Sequence, residues 1–186
     1  MLSTIPARLD CEHAQLLIID IQEKLLPRIA DHERLVDQAE LMIRAAVALE
    51  VPITLSEQYP KGLGPTVPRI AQAATGAHRI EKTTFSFVAH EPGRKHLAAA
   101  LRPQVLLIGI EAHVCVFQTA LDLLGMQMRP VVLADAVGSR CPTDYQVALD
   151  GLRAAGAVVT TAESAIFQLL YESGTEAFKK VLPLVK

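Results

Sequence analysis

The chain has 186 residues, 51% of them apolar, and a formal net charge of −2. That length and apolar content suit one domain with a sizeable core. The charge balance, with no basic stripe and no run of five like charges, argues against a nucleic-acid partner. No apolar stretch approaches the ~20 residues of a membrane span, because Asp20 interrupts the first and Glu111 and His113 a later one. Residues 1–13 hold no apolar leader core, and Cys11, Cys115 and Cys141 are too few and too widely spaced for a disulfide framework. A soluble, cytoplasmic, single-domain protein spanning residues 1–186 is expected.

Residues 14–21 are apolar except Gln15 and Asp20, as in a strand covered on both faces. Asp31 is placed to cap a helix reaching about Glu50, with Leu35, Ala39, Met42, Ala46 and Leu49 at helical spacing. Residues 51–55 read as a second strand. Residues 57–68, with Gly62, Gly64, Pro60, Pro65 and Pro68, read as an ordered loop. Residues 78–83 predict a short strand and 93–101 a helix. The apolar run 105–108 predicts a buried strand ended by Gly109, and 114–124 a helix stopped at Gly125. Residues 130–134 predict a strand. Thr143 and Gln146 have the spacing of a capping box for a helix ending at Gly156. Residues 158–161 predict the last strand, and 164–171 and 175–182 the terminal helices. Strands alternating with helices predict an α/β, doubly wound, mostly parallel sheet with helices on both faces.

In such sheets ligands bind beyond the carboxyl ends of the strands. Asp20, Lys82 and Cys115 all fall at or just past predicted strand ends. A carboxylate next to a thiol serves as its general base, an ammonium favours both anions, and the thiolate attacks a carbonyl or imine carbon. A thiol at a strand-to-helix turn, near free N–H groups, is expected to have a lowered pKa. Asp20 stands out because an unpaired charge in an apolar strand costs several kcal/mol. The spacing of His113 and Cys115 does not suit zinc. Gly62 and Gly64 lack the third glycine of a dinucleotide fingerprint.

These residues carry a resemblance. Asp20 and Gln22 in the first apolar run, Lys82 with Phe85 and Phe87, the stretch from Gly109 through Glu111 to Cys115 and Val116, and Ala134-Asp135-Ala136 followed by Ser139-Arg140 together resemble the isochorismatase-like cysteine hydrolase superfamily. The resemblance spans about residues 15–161. It implies a six-stranded parallel, Rossmann-like sheet and a catalytic Asp20, Lys82 and Cys115. It also implies a non-proline cis peptide at Ile110–Glu111 and an oxyanion hole of the Glu111 and Cys115 backbone N–H groups. The metal motif of nicotinamidases has no counterpart after the second strand, where Glu57 is an isolated carboxylate, so no metal and no cofactor are expected. Cys115 argues against vinyl-ether cleavage, since true isochorismatases lack that cysteine. Residues 57–64 look most like the isochorismatase-domain-containing branch.

The expected function is hydrolysis of an amide-type carbon–nitrogen bond in a small molecule through a Cys115 thioester. Gln22, Tyr59, Phe85 and Ile110 are candidate pocket residues. A homo-oligomer is expected from the family. A non-catalytic interaction or scaffold role is the competing expectation.

Overall fold

The alternation of apolar residues along the strands builds two cores. Leu16 and Ile18 of the first strand point to one side and Leu17 and Ile19 to the other, and all four are fully buried. A strand apolar on both faces must be covered on both. The computed structural model describes residues 5–186; residues 1–4, the start of the expected domain span and of the segment in which no leader core is expected, lie outside it. Six strands form the sheet: β1 (Ala14–Ile19), β2 (Ile53–Gln58), β3 (His78–Lys82), β4 (Gln104–Ile110), β5 (Arg129–Gly138) and β6 (Val158–Thr160). All neighbouring strands pair in parallel, in the order β3-β2-β1-β4-β5-β6.

Parallel pairing requires long crossovers, and helices supply most of them. One face carries α1 (His32–Ala48), α3 (Pro68–Ala73), α7 (Ala162–Leu170) and α8 (Glu176–Val181). The other carries α4 (Glu91–Ala99), α5 (Phe117–Gly125) and α6 (Pro142–Ala155). A single turn, α2 (Pro60–Leu63), follows β2. No helix among the described residues is long and apolar enough to cross a membrane.

Several local expectations change. Strand β2 runs to Gln58, so Glu57 and Gln58 belong to the sheet and not to a loop, and Pro68 starts the helix α3. Asp31 occupies the N-cap of α1 in the left-handed region, and its side chain makes no cap bond. Helix α6 starts at Pro142 with Cys141 as its N-cap, two residues ahead of the expected box, because proline suits the first helical position. Gly125 is the last residue of α5 and Met126 follows as the cap. Strand β5 is longer than the apolar run suggested. Leu107 faces Val132 while Gly109 faces Val137, so Ile108 alone stands opposite residues 133–136. This bulge holds Asp135, which accepts a hydrogen bond from the Ala162 N–H at 2.8 Å, and Ala134, whose carbonyl accepts from the Tyr145 hydroxyl at 2.6 Å.

Gly109 sits where β4 passes closest to β1. Its φ is +123°, and a Cβ there would overlap the Ile19 carbonyl oxygen, next to Asp20. Both the conformation and the space demand glycine. Gly109→Ala is expected to destabilise the protein by about 3 kcal/mol or more in urea unfolding. Gly125→Ala, where nothing lies within 4 Å, serves as a near-neutral control. Equal effects at the two positions would contradict the close-approach account.

At the sheet edge, His78 of β3 stacks on His96 of α4 with ring centroids 4.1 Å apart, and His96 Nε2 lies 2.9 Å from Thr54 Oγ1. Burial, and then the neighbouring His78, push the His96 pKa below its ordinary 6.5. The folded state therefore favours neutral His96. Its contribution is complete above about pH 6.5 and is lost as pH falls through the lower, folded-state value. Thermal melts should show less acid destabilisation below pH 6.5 in His96→Gln than in the parent. Identical slopes would count against this assignment.

Candidate active site

In this strand order the chain reverses its direction of winding between β1 and β4, and ligand clefts form at such switch points. Asp20 directly follows β1, and Cys115 follows β4 by one wide turn. Asp20 is fully buried and has φ +52°, a left-handed conformation that aspartate tolerates better than most residues. Its N–H donates to the Ser56 carbonyl at 3.2 Å.

The Asp20 carboxylate is held by two donors. Ser56 Oγ donates to Oδ1 at 2.7 Å, and Lys82 Nζ donates to Oδ2 at 2.6 Å. Both side chains of the ion pair are fully shielded from water. The Lys82 ammonium also faces Gln58 Oε1 at 2.8 Å and the carbonyls of Thr84 and Phe85, each at 3.2 Å. A buried ion pair survives only with such further hydrogen bonds. Ser56 and Gln58 were not singled out from the sequence. Their signal was the alternation Thr54, Ser56, Gln58 along one strand face, visible only once β2 is extended to Gln58.

Cys115 lies in a π-helical turn, Ala112–Val116, that leads into α5. The preceding Ile110–Glu111 peptide is cis. The thiol is 7% exposed and packs in the same core as Ala112 and Val116. Its pKa is pushed up from 9.0 to about 12, first by burial and then by the Asp20 charge; Lys82 and the Glu111 N–H beside the sulfur oppose this more weakly. The expectation of a lowered thiol pKa is thus overturned. The Glu111 N–H does act on the sulfur, but desolvation and a neighbouring carboxylate outweigh it. The resting pair is a thiol beside a carboxylate. Carboxylate oxygens have lone pairs to spare beyond the Ser56 and Lys82 contacts, so Asp20 is chemically equipped to take the thiol proton.

The remaining predicted residues are distributed differently. Tyr59 and Phe85 are each about half exposed and flank Lys82: the Tyr59 N–H donates to the Lys82 carbonyl at 2.9 Å, and the Phe85 carbonyl faces its ammonium. Ile110 is fully buried. Gln22 is also fully buried, and its amide bonds Gln58 O at 3.0 Å, Gly64 O at 2.6 Å and the Gln58 N–H at 2.8 Å, which clamps the residue 58–64 segment to β1. Glu57 Oε1 accepts from the Thr66 N–H and hydroxyl at 2.8 and 2.7 Å and lies 3.2 Å from Arg79. Its carboxylate is thereby committed to structure. Among the described residues no group of three or more His, Cys, Asp or Glu is arranged to hold a metal ion.

Comparison with known proteins identifies the family. The family profile described as Isochorismatase domain matches residues 14–164. Isochorismatase domain-containing protein 2 of Pongo abelii is 43% identical over 175 residues, covering 92% of this chain and 82% of its own. Isochorismatase domain-containing protein 2A of Mus musculus is 41% identical over 179 residues, covering 94% and 84%. The solved structure of MAR1 ribonuclease from Caenorhabditis elegans superposes with a TM-score of 0.91 at 38% identity, covering 96% of this chain and 92% of that one. With the sheet order, the strand-end residues and these likenesses together, the chain belongs to the isochorismatase-like cysteine hydrolase superfamily, in its isochorismatase-domain-containing branch.

Proposed function

We propose that the protein hydrolyses an amide-type carbon–nitrogen bond of a small molecule, with Cys115 as nucleophile and Asp20 as its base. The observation that carries this reading is the fully buried Asp20, fixed by Lys82 and Ser56 beside the Cys115 thiol at the switch point. Asp20 takes the Cys115 proton as the sulfur attacks the carbonyl carbon. The backbone N–H groups of Glu111 and Cys115 hold the resulting oxyanion, a contribution of about 3–4 kcal/mol per donor in known cases. Collapse breaks the carbon–nitrogen bond, and Asp20 passes its proton to the departing amine. Water, deprotonated by Asp20, then attacks the thioester, releases the acid and returns the proton to sulfur. Lys82 holds Asp20 in place through each of these transfers. Tyr59 and Phe85 form the lip that receives the substrate. Assembly into a homo-oligomer and work in the reducing cytoplasm complete the proposal.

A non-catalytic scaffold role is the second reading, and the high thiol pKa favours it, since a thiol held at about 12 is unreactive at rest. A nucleolytic reading taken from the name of the Caenorhabditis elegans protein is less favoured. The chain has a net charge of −2, and the ammonium at its site is already surrounded by protein acceptors.

Two measurements test the proposal. Iodoacetamide labelling of Cys115, resolved from Cys11 and Cys141 by peptide mass spectrometry, should rise with pH through pH 10 without a plateau. Asp20→Asn, which removes the charge that raises the thiol pKa, should bring the midpoint down. A plateau near neutral pH in the parent would show a preformed thiolate and sink the base-assisted scheme. In a screen of small amides and ureas, Asp20→Asn and Lys82→Met should each lower kcat/KM by about 10²-fold or more on any substrate turned over, and Cys115→Ser should abolish thioester trapping. Turnover insensitive to all three changes would place the chemistry elsewhere, and an empty screen would favour the scaffold role.

A further inference from the structure

The turn that presents Cys115 is a wide π turn. Its backbone bonds include those from the N–H groups of Val114 and Val116 to the Glu111 carbonyl at 3.1 and 3.2 Å and from the Phe117 N–H to the Ala112 carbonyl. Turns of this π type are uncommon, and they concentrate at functional sites. Two side chains reach out of it, and both are caught by one short segment, the connection between β5 and α6. Arg140 Nε–H donates to Glu111 Oε2 at 2.9 Å. Ser139 Oγ lies 2.9 Å from His113 Nδ1, with donor and acceptor exchanging according to the histidine tautomer. The segment is itself anchored. Ser139 is 2% exposed, its carbonyl accepts from the Ala30 N–H at 3.1 Å, and the preceding Gly138 pairs with Ile110 in the sheet. Nearby, His113 Nε2 lies 4.0 Å from Asp144.

We infer that Arg140 and Ser139 are positioning residues, which act through Glu111 and His113 to set the Glu111 N–H and the Cys115 sulfur against Asp20. The energetics distinguish this role from a merely structural one. Arg140 is 58% exposed while Glu111 is 13% exposed, and an ion pair with one well-solvated partner contributes modestly to stability. Its loss should therefore leave the fold intact. Glu111, in contrast, has its N–H beside the nucleophile, and displacements of about 1 Å at a reacting centre cost up to about 10²-fold in rate. A residue that matters little for stability and much for rate is a positioning residue.

This inference rests on the Cys115 nucleophile proposed above, and the experiment separates the two. In Arg140→Ala and Ser139→Ala, iodoacetamide labelling of Cys115 is followed from pH 7 to 10 alongside thermal melts. Labelling should slow by about tenfold in Arg140→Ala while its Tm stays within about 2 °C of the parent. Glu111→Gln should slow labelling alike, and the Glu111→Gln/Arg140→Ala double variant should be no slower than Glu111→Gln alone. Ser139→Ala reports the second clamp, and because the side chain is buried its melt is read first. On any substrate turned over, the loss should fall on kcat and leave KM unchanged. Parent-like labelling in Arg140→Ala and Ser139→Ala, or additive effects in the double variant, overturns the inference. That outcome leaves the nucleophile proposal standing if Asp20→Asn still alters the labelling profile.

Discussion

A carboxylate and an ammonium, both without access to water, stand 2.6 Å apart at the end of this sheet. Separating them would leave a buried charge unpaired at a cost of several kcal/mol, so every element that touches either group is constrained. Asp20 comes from β1, Ser56 and Gln58 from β2, and Lys82 from β3. One ion pair thus ties three adjacent strands at their carboxyl ends. Gly109 supplies the complement on the other side, since only a residue without a side chain lets β4 pass Ile19. These two facts together fix how the carboxyl ends of β1 and β4 lie side by side at the switch point.

The electrostatics then decide the chemistry. The same burial that makes the ion pair obligatory also keeps the proton on Cys115. A thiol beside a positive helix end in water would lose its proton more readily; here desolvation and the Asp20 carboxylate act first. Burial and the neighbouring carboxylate thus act in the same direction on the thiol, against the turn N–H and the ammonium. Exposed Cys141, whose pKa the backbone N–H groups of Asp144 and Thr143 lower, is the contrasting case in the same chain.

The fold class and the three strand-end residues were legible because their signals are local. Asp20 breaks an apolar run, Lys82 ends a short strand, and Cys115 follows a glycine-terminated one. What was not legible depends on tertiary contacts. The partners of Lys82 require the register Gln58↔Lys82, and polar Ser56, Glu57 and Gln58 disguised the end of β2 as loop. The fully used amide of Gln22 depends on where residues 58–64 return. The bulge in β5 leaves no periodicity to read, because residues 133–136 face a single partner. The sign of the Cys115 shift depends on burial, which spacing does not report.

Lys82 resides on β3, the edge strand, whose outward residues His78, Arg79 and Glu81 are all exposed. Edge strands detach more readily than interior ones, and local opening can occur well below the free energy of global unfolding. When β3 frays, the ammonium leaves while Asp20 stays behind on an interior strand. The pairing of the two charges is thus tied to the integrity of an edge strand and not only to the interior of the sheet.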